Sequence, residues 1–324
     1  MYIAQAFNSL HDWWRYALGV VIVFIATQIG SVPFAMAAGF KVMQEGGDLS
    51  DLNDMTTLMT VLDSNLTLFL MLLSFAVGLV ALLLVVKLLH KQPLVEATTA
   101  RKRIDWGRFW FGFGLIAVTV IVLTVLDYYT NPESYVVQFD PVPFMILAII
   151  VIIFIPLQTS MEEYLFRGYL MQGIGVLARN KWLPLLLTSV VFGLLHLANP
   201  EVEKLGYILM VYYIGTGLFL GIITLMDDGL ELALGFHAAN NMVAALLVTA
   251  DWTVFQTHSI LKDISDPSAG FDILLPVLVV YPIFLFIMAR KYGWKNWNEK
   301  LFGRVEKPIL PIIDEVYPDN NPTP

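Results

Sequence analysis

The chain has 324 residues, 57% of them hydrophobic and 14% charged, with a mean hydropathy of +0.70. Soluble domains carry about 25% charged residues, so a water-soluble fold is excluded. The net charge of -8 with no basic face argues against a nucleic-acid partner, and the absence of cysteine removes disulfides, thiol nucleophiles and cysteine metal sites.

Eight apolar segments follow in order, at roughly 16–40, 66–89, 109–127, 142–177, 182–199, 205–226, 231–249 and 271–290. They are read as helices because hydrocarbon leaves an open backbone no other way to satisfy its polar groups. Trp13, Trp14 and Tyr16 make an interfacial anchor for the first. That run is longer than a signal-peptide core and Ala35-Met36-Ala37 is a weak cleavage site, so it is read as a retained span. The expected fold is all-α, a polytopic transmembrane helix bundle of about eight spans. Residues 1–141 hold three spans and their loops, 142–250 a core rich in unusual polar residues, and 251–304 the last span with its juxtamembrane segment. The Pro-, Asp- and Asn-rich residues 305–324 are expected to be disordered.

Basic residues give the orientation. With a cytoplasmic N-terminus, fifteen Lys and Arg fall in inside segments and only Lys41, Lys204 and Lys262 outside, with Arg167 in a span. The positive-inside rule then puts both termini in the cytoplasm. The first outside loop is acidic (Glu45, Asp48, Asp51, Asp54, Asp63), which counts for little under that rule.

Ionisable groups inside spans are expensive and are functional candidates by default. The candidates are Glu162, Glu163 and Arg167 on the fourth span, His196 on the fifth and His237 on the seventh, with Asn240 and Asn241 just after it. Glu163 and Arg167 are four apart, in the order that favours a helical ion pair. Glu162 points about 100° away and has no such partner, which suits a general base. His237 and Asn241 share a helix face and offer two donors for an oxyanion. A bland alternative is a buried ion network and an interhelical hydrogen-bond pair that only hold helices together. Glu162 and His196 lie 18 and 16 residues from the turn near Asn180, so they are expected to meet across a hairpin of the fourth and fifth spans.

These motifs, Glu162-Glu163…Arg167, Phe192…His196 and His237…Asn241, in this order and all within spans, resemble the type II CAAX prenyl endopeptidases and their bacterial relatives, the CPBP (Abi) family of intramembrane proteases. The resemblance covers roughly 142–250. It implies hydrolysis of a peptide bond in a membrane-associated or prenylated protein or peptide, in a multi-pass protein of a bacterial plasma membrane. It implies that Glu162 activates water with His196 helping to position it, that His237 and Asn241 stabilise the oxyanion, and that Glu163 and Arg167 support the site beside Phe192 and Asn240. The family is often labelled metallopeptidase, whereas a glutamate-dependent reading needs no metal. No His-Glu-x-x-His pair is present, so a metal-free site is favoured. If zinc is bound, the ligands expected are Glu162, His196 and His237. Two readings compete with the protease: a proton- or ion-coupled transporter using the same buried groups, and a non-catalytic scaffold or bacteriocin immunity protein.

Overall fold

The computed structural model describes residues 1–267 and 270–307. Its first helices are α1 (Trp13–Gln44), α2 (Met55–Thr60), α3 (Ser64–Leu84), α4 (Leu94–Thr98), α5 (Trp106–Thr130) and α6 (Pro141–Glu163). They are followed by α7 (Met171–Ala178), α8 (Trp182–Leu194), α9 (Pro200–Leu205), α10 (Leu209–Asp227), α11 (Glu231–Leu247), α12 (Tyr281–Tyr292) and α13 (Trp297–Phe302). Wider π-helical turns extend α3 to Leu89, join α6 to α7 over Tyr164–Leu170 and lead into α12 over Pro276–Val280.

Local chemistry explains where the helices begin and end. Asp63, Asp105 and Asp140 accept hydrogen bonds from the first free backbone N–H groups of α3, α5 and α6, as N-cap residues do. Proline at the first position of α6 loses no helical bond. Left-handed residues stop α7 at Arg179, α10 at Asp228 and α12 at Gly293.

Each of the eight expected segments corresponds to a helix. Five are long and apolar enough to cross a membrane: Trp13–Gln44, Ser64–Leu89, Trp106–Thr130, Pro141–Ala178 and Leu209–Asp227. The fifth segment is shorter than expected, because α8 stops at Leu194 and the chain turns through α9 before α10. The fourth agrees with its expected bounds: its 38 residues span about 57 Å at the helical rise, more than the ~30 Å of bilayer hydrocarbon. Val305, expected to open a disordered tail, is 1% exposed and donates its N–H to the Arg179 carbonyl. Residues 308–324 lie outside the described residues.

The segments between helices gather at two ends of the bundle. At one end the segments assigned to the inside meet: Leu10 N–H bonds His90 O at 2.9 Å, Ala100 N–H bonds Asp228 O at 2.9 Å and Lys181 N–H bonds Gly303 O at 3.2 Å. At the other end lies a small sheet in the order β1 (Tyr135–Val137), β3 (Leu261–Asp263), β2 (Val248–Thr249), with β1 antiparallel and β2 parallel to β3.

Two glycines let α5 and α11 lie unusually close. A Cβ at Gly235 would sit 2.0 Å from the Phe109 carbonyl oxygen, and one at Gly112 would sit 2.5 Å from that of Leu232. Small residues at such crossings are how membrane helices gain packing without a hydrophobic drive. The crossing fixes α11 two residues before His237.

Candidate active site

The site is built from one long helix and two neighbours. The π turn after Glu163 keeps Glu163 and Arg167 both fully buried, with Arg167 Nη1 donating to Glu163 Oε1 at 2.8 Å. Arg167 Nη2 also donates to the Gly217 carbonyl on α10 at 3.1 Å, and the Phe192 ring covers the guanidinium at 4.5 Å. The expected ion pair is present, and it is not self-contained. His237 Nδ1 lies 2.8 Å from the same Glu163 Oε1. A carboxylate oxygen accepts, so Nδ1 carries the proton and Nε2 is the free ring nitrogen.

That free nitrogen faces Glu162. His237 Nε2 and Glu162 Oε2 are 3.5 Å apart, and the Glu162 side chain is 12% exposed. Glu162 Oε1 accepts from Gln158 Nε2 at 2.8 Å, while Oε2 makes no hydrogen bond among the described residues. Gln158 Oε1 accepts in turn from Asn241 Nδ2 at 3.3 Å, and Asn240 Nδ2 donates to Asn241 Oδ1 at 3.1 Å. His237 and Asn241, four residues apart, thus both face α6. A polar chain runs from Asn240 through Asn241, Gln158, Glu162, His237 and Glu163 to Arg167.

His196 sits two residues beyond the end of α8, and no hydrogen bond or ion pair links it to Glu162 or His237 among the described residues. Its Nδ1 lies 2.8 Å from the Phe192 carbonyl and its ring stacks on Tyr213 at 4.3 Å and 25°. Phe192 bridges the two histidines, with its ring 4.8 Å from that of His196 and 6.0 Å from that of His237.

This arrangement does not fit the zinc set Glu162, His196 and His237. Among the described residues no three His, Asp or Glu side chains converge on a point suited to a metal ion. His196 is the outlier, since no polar contact joins it to Glu162 or His237 among the described residues.

Sequence reasoning missed Gln158, although its signal was available: it is an amide inside an apolar span, four residues before Glu162. It also missed a second polar knot at the end of the bundle where the inside segments meet. There Asp227, with its side chain 2% exposed, pairs with Arg101 at 2.6 Å and with Arg108, and accepts from Trp294 Nε1 at 3.1 Å. Buried Glu231 lies 3.5 Å from Arg101. These acids fall at span ends, where charge is ordinary and gave no warning.

Known proteins resemble this chain. A family model described as "Type II CAAX prenyl endopeptidase Rce1-like" matches residues 141–243, the range that holds every residue of the polar chain. "Uncharacterized protein YyaK" of Bacillus subtilis (strain 168) is 30% identical over 246 residues, which is 75% of this chain and 80% of that protein. The similarity therefore extends well beyond the matched domain. No solved structure matches the chain. With its helix bundle, its buried Glu-Glu-x-x-x-Arg and His-x-x-x-Asn motifs and these two matches, the chain belongs to the type II CAAX prenyl endopeptidase (CPBP) family of membrane proteins.

Proposed function

We propose that the protein is an intramembrane endopeptidase in which Glu162 activates a water for attack on a peptide bond. The carrying observation is the 3.5 Å gap between Glu162 Oε2 and His237 Nε2. Glu162 Oε2 makes no hydrogen bond among the described residues, so a water seated beside it can donate to that oxygen. Attack by its oxygen on the substrate carbonyl sends one water proton to Glu162. Collapse of the tetrahedral intermediate returns that proton to the leaving amine.

Asn241 has one amide N–H on Gln158 and a second to offer a developing oxyanion. For His237 to join it, Nε2 must carry a proton as well as Nδ1, one taken up from solvent before the water attacks and kept throughout, so that the water proton passes only through Glu162. Glu163 supports that state by accepting from Nδ1, and Arg167 holds Glu163 in place. His196, whose ring packs on the Phe192 ring that also touches His237, is assigned to help place the water or substrate. No step uses a metal. The substrate is a membrane-associated or prenylated peptide that reaches the site from the bilayer.

The test is hydrolysis itself. Purified protein in proteoliposomes is given farnesylated CAAX peptides and single-span peptides in ¹⁸O-labelled water. The expected product is a new carboxyl terminus carrying the label. Absence of cleavage by folded protein, or label appearing in the Glu162 side chain, contradicts the reading.

A further inference from the structure

We propose that Tyr213 is a positioning residue for His196 and that Glu201 anchors Tyr213. The inference rests on the reading that His196 serves the reaction, and it concerns how that ring is held. His196 lies two residues past the end of α8. Two contacts orient it. Nδ1–H donates to the Phe192 carbonyl at 2.8 Å, which sets the tautomer and leaves Nε2 as the acceptor. The Tyr213 ring lies against its face at 4.3 Å and 25°, which sets the ring plane. Together they aim Nε2 in one direction.

Tyr213 is held from its other end. Its hydroxyl donates to Glu201 Oε1 at 2.7 Å. That oxygen also accepts from Asn199 Nδ2 at 3.2 Å, while Oε2 accepts from the Val254 backbone N–H at 3.1 Å. A partly buried carboxylate needs such donors to offset its lost hydration. Three of them, from α10, the residue before α9 and the segment after β2, make Glu201 the node that joins three chain segments beside the site. Neither Tyr213 nor Glu201 belongs to a motif read from the sequence. The α10 backbone and the Glu201 node fix Tyr213, and Tyr213 fixes the His196 ring.

The experiment compares the wild type, Tyr213→Phe, Tyr213→Leu and Glu201→Gln in detergent, with thermal melting to confirm folding. One readout is the NMR shift of the His196 ring Cε1–H in ¹³C-histidine protein, which a stacked aromatic moves upfield. The other is kcat and KM on whichever probe peptide the wild type cleaves. Tyr213→Leu is expected to abolish the upfield shift and to lower kcat by about 10- to 100-fold with KM little changed, as a misplaced catalytic group does. Tyr213→Phe keeps the ring and is expected to restore most of both, and Glu201→Gln to fall between. An unchanged His196 shift and unchanged kcat in Tyr213→Leu overturn the proposal, as does a Tyr213→Phe variant as impaired as Tyr213→Leu. If the wild type cleaves no probe, the protease reading fails on its own, and the shift alone decides whether Tyr213 orients His196.

Discussion

Glu163 Oε1 accepts hydrogen bonds from Arg167 Nη1 and from His237 Nδ1, each at 2.8 Å. One carboxylate oxygen thereby ties the buried guanidinium to the imidazole that faces Glu162. Removing the carboxylate strands a fully buried cation. Glu163→Ala is predicted to destabilise the protein by about 3–5 kcal/mol, and Glu162→Ala by clearly less, because Glu162 has no ion-pair partner besides His237. Thermal unfolding in detergent checks this, and equal losses for the two variants count against the shared-oxygen arrangement.

The same relationship also predicts an effect on activity. In Glu163→Gln the side-chain oxygen can still accept from Arg167 or His237, but the charge that supports a doubly protonated His237 is gone. Turnover is expected to fall about 10- to 100-fold, within the range for a group that tunes acid–base chemistry, with KM near the wild-type value. Steady-state kinetics on a cleaved peptide decide it, and an undiminished kcat removes Glu163 from the mechanism.

The α5–α11 crossing should not tolerate even one methyl group. Gly235→Ala places its Cβ against the Phe109 carbonyl, 2.0 Å away before relaxation. Separating the helices is predicted to cost about 1–3 kcal/mol, as overpacking does, and to shift His237 from Glu162. Gly114→Ala on α5, where an added Cβ meets nothing within 4 Å, is the matched control. A neutral Gly235→Ala variant, by melting temperature and by activity, contradicts the close crossing.

Acid should weaken the end where the inside segments meet, through His90. This residue lies one position past Ser64–Leu89 and is 1% exposed, with Nδ1 at 2.7 Å from the Leu10 carbonyl and Nε2 at 2.8 Å from the Tyr169 hydroxyl. Burial holds its imidazole below the usual histidine range, which centres on about 6.5. The folded state thus disfavours the proton that the unfolded chain takes up. Its contribution to stability is complete above about pH 6.5 and is lost as pH falls through the folded value. The melting temperature of the wild type is expected to drop more steeply between about pH 6.5 and 5 than that of His90→Asn. Parallel curves remove His90 as the cause.

Much of the site was legible because polar residues in apolar spans are conspicuous and helical spacing sorts them. Glu163 with Arg167, and His237 with Asn241, follow from the four-residue period alone. What spacing could not give was contact between helices. The separation of Glu163 from the reactive group dissolved because α11 delivers His237 to both glutamates. The expected pairing of Glu162 with His196 makes no direct hydrogen bond among the described residues; α8 ends at Leu194, and nothing in the apolar run up to Leu197 marks that end. Tyr213 and Glu201 were invisible for a different reason: an aromatic in a span and an acid in a loop are both ordinary until a fold stacks one on a histidine and bonds it to the other. The eight apolar segments were readable in number, but the lengths of α6, α8 and α11 depend on turns that tertiary packing sets.

The central claim is that Glu162 takes the proton of the attacking water. The most direct measurement is kcat for Glu162→Gln against the wild type, on a peptide that the wild type cleaves in proteoliposomes, with melting temperature recorded for both. The account predicts a loss of at least about 100-fold in a variant that melts within a few degrees of the wild type. Cleavage by folded Glu162→Gln at the wild-type rate contradicts it.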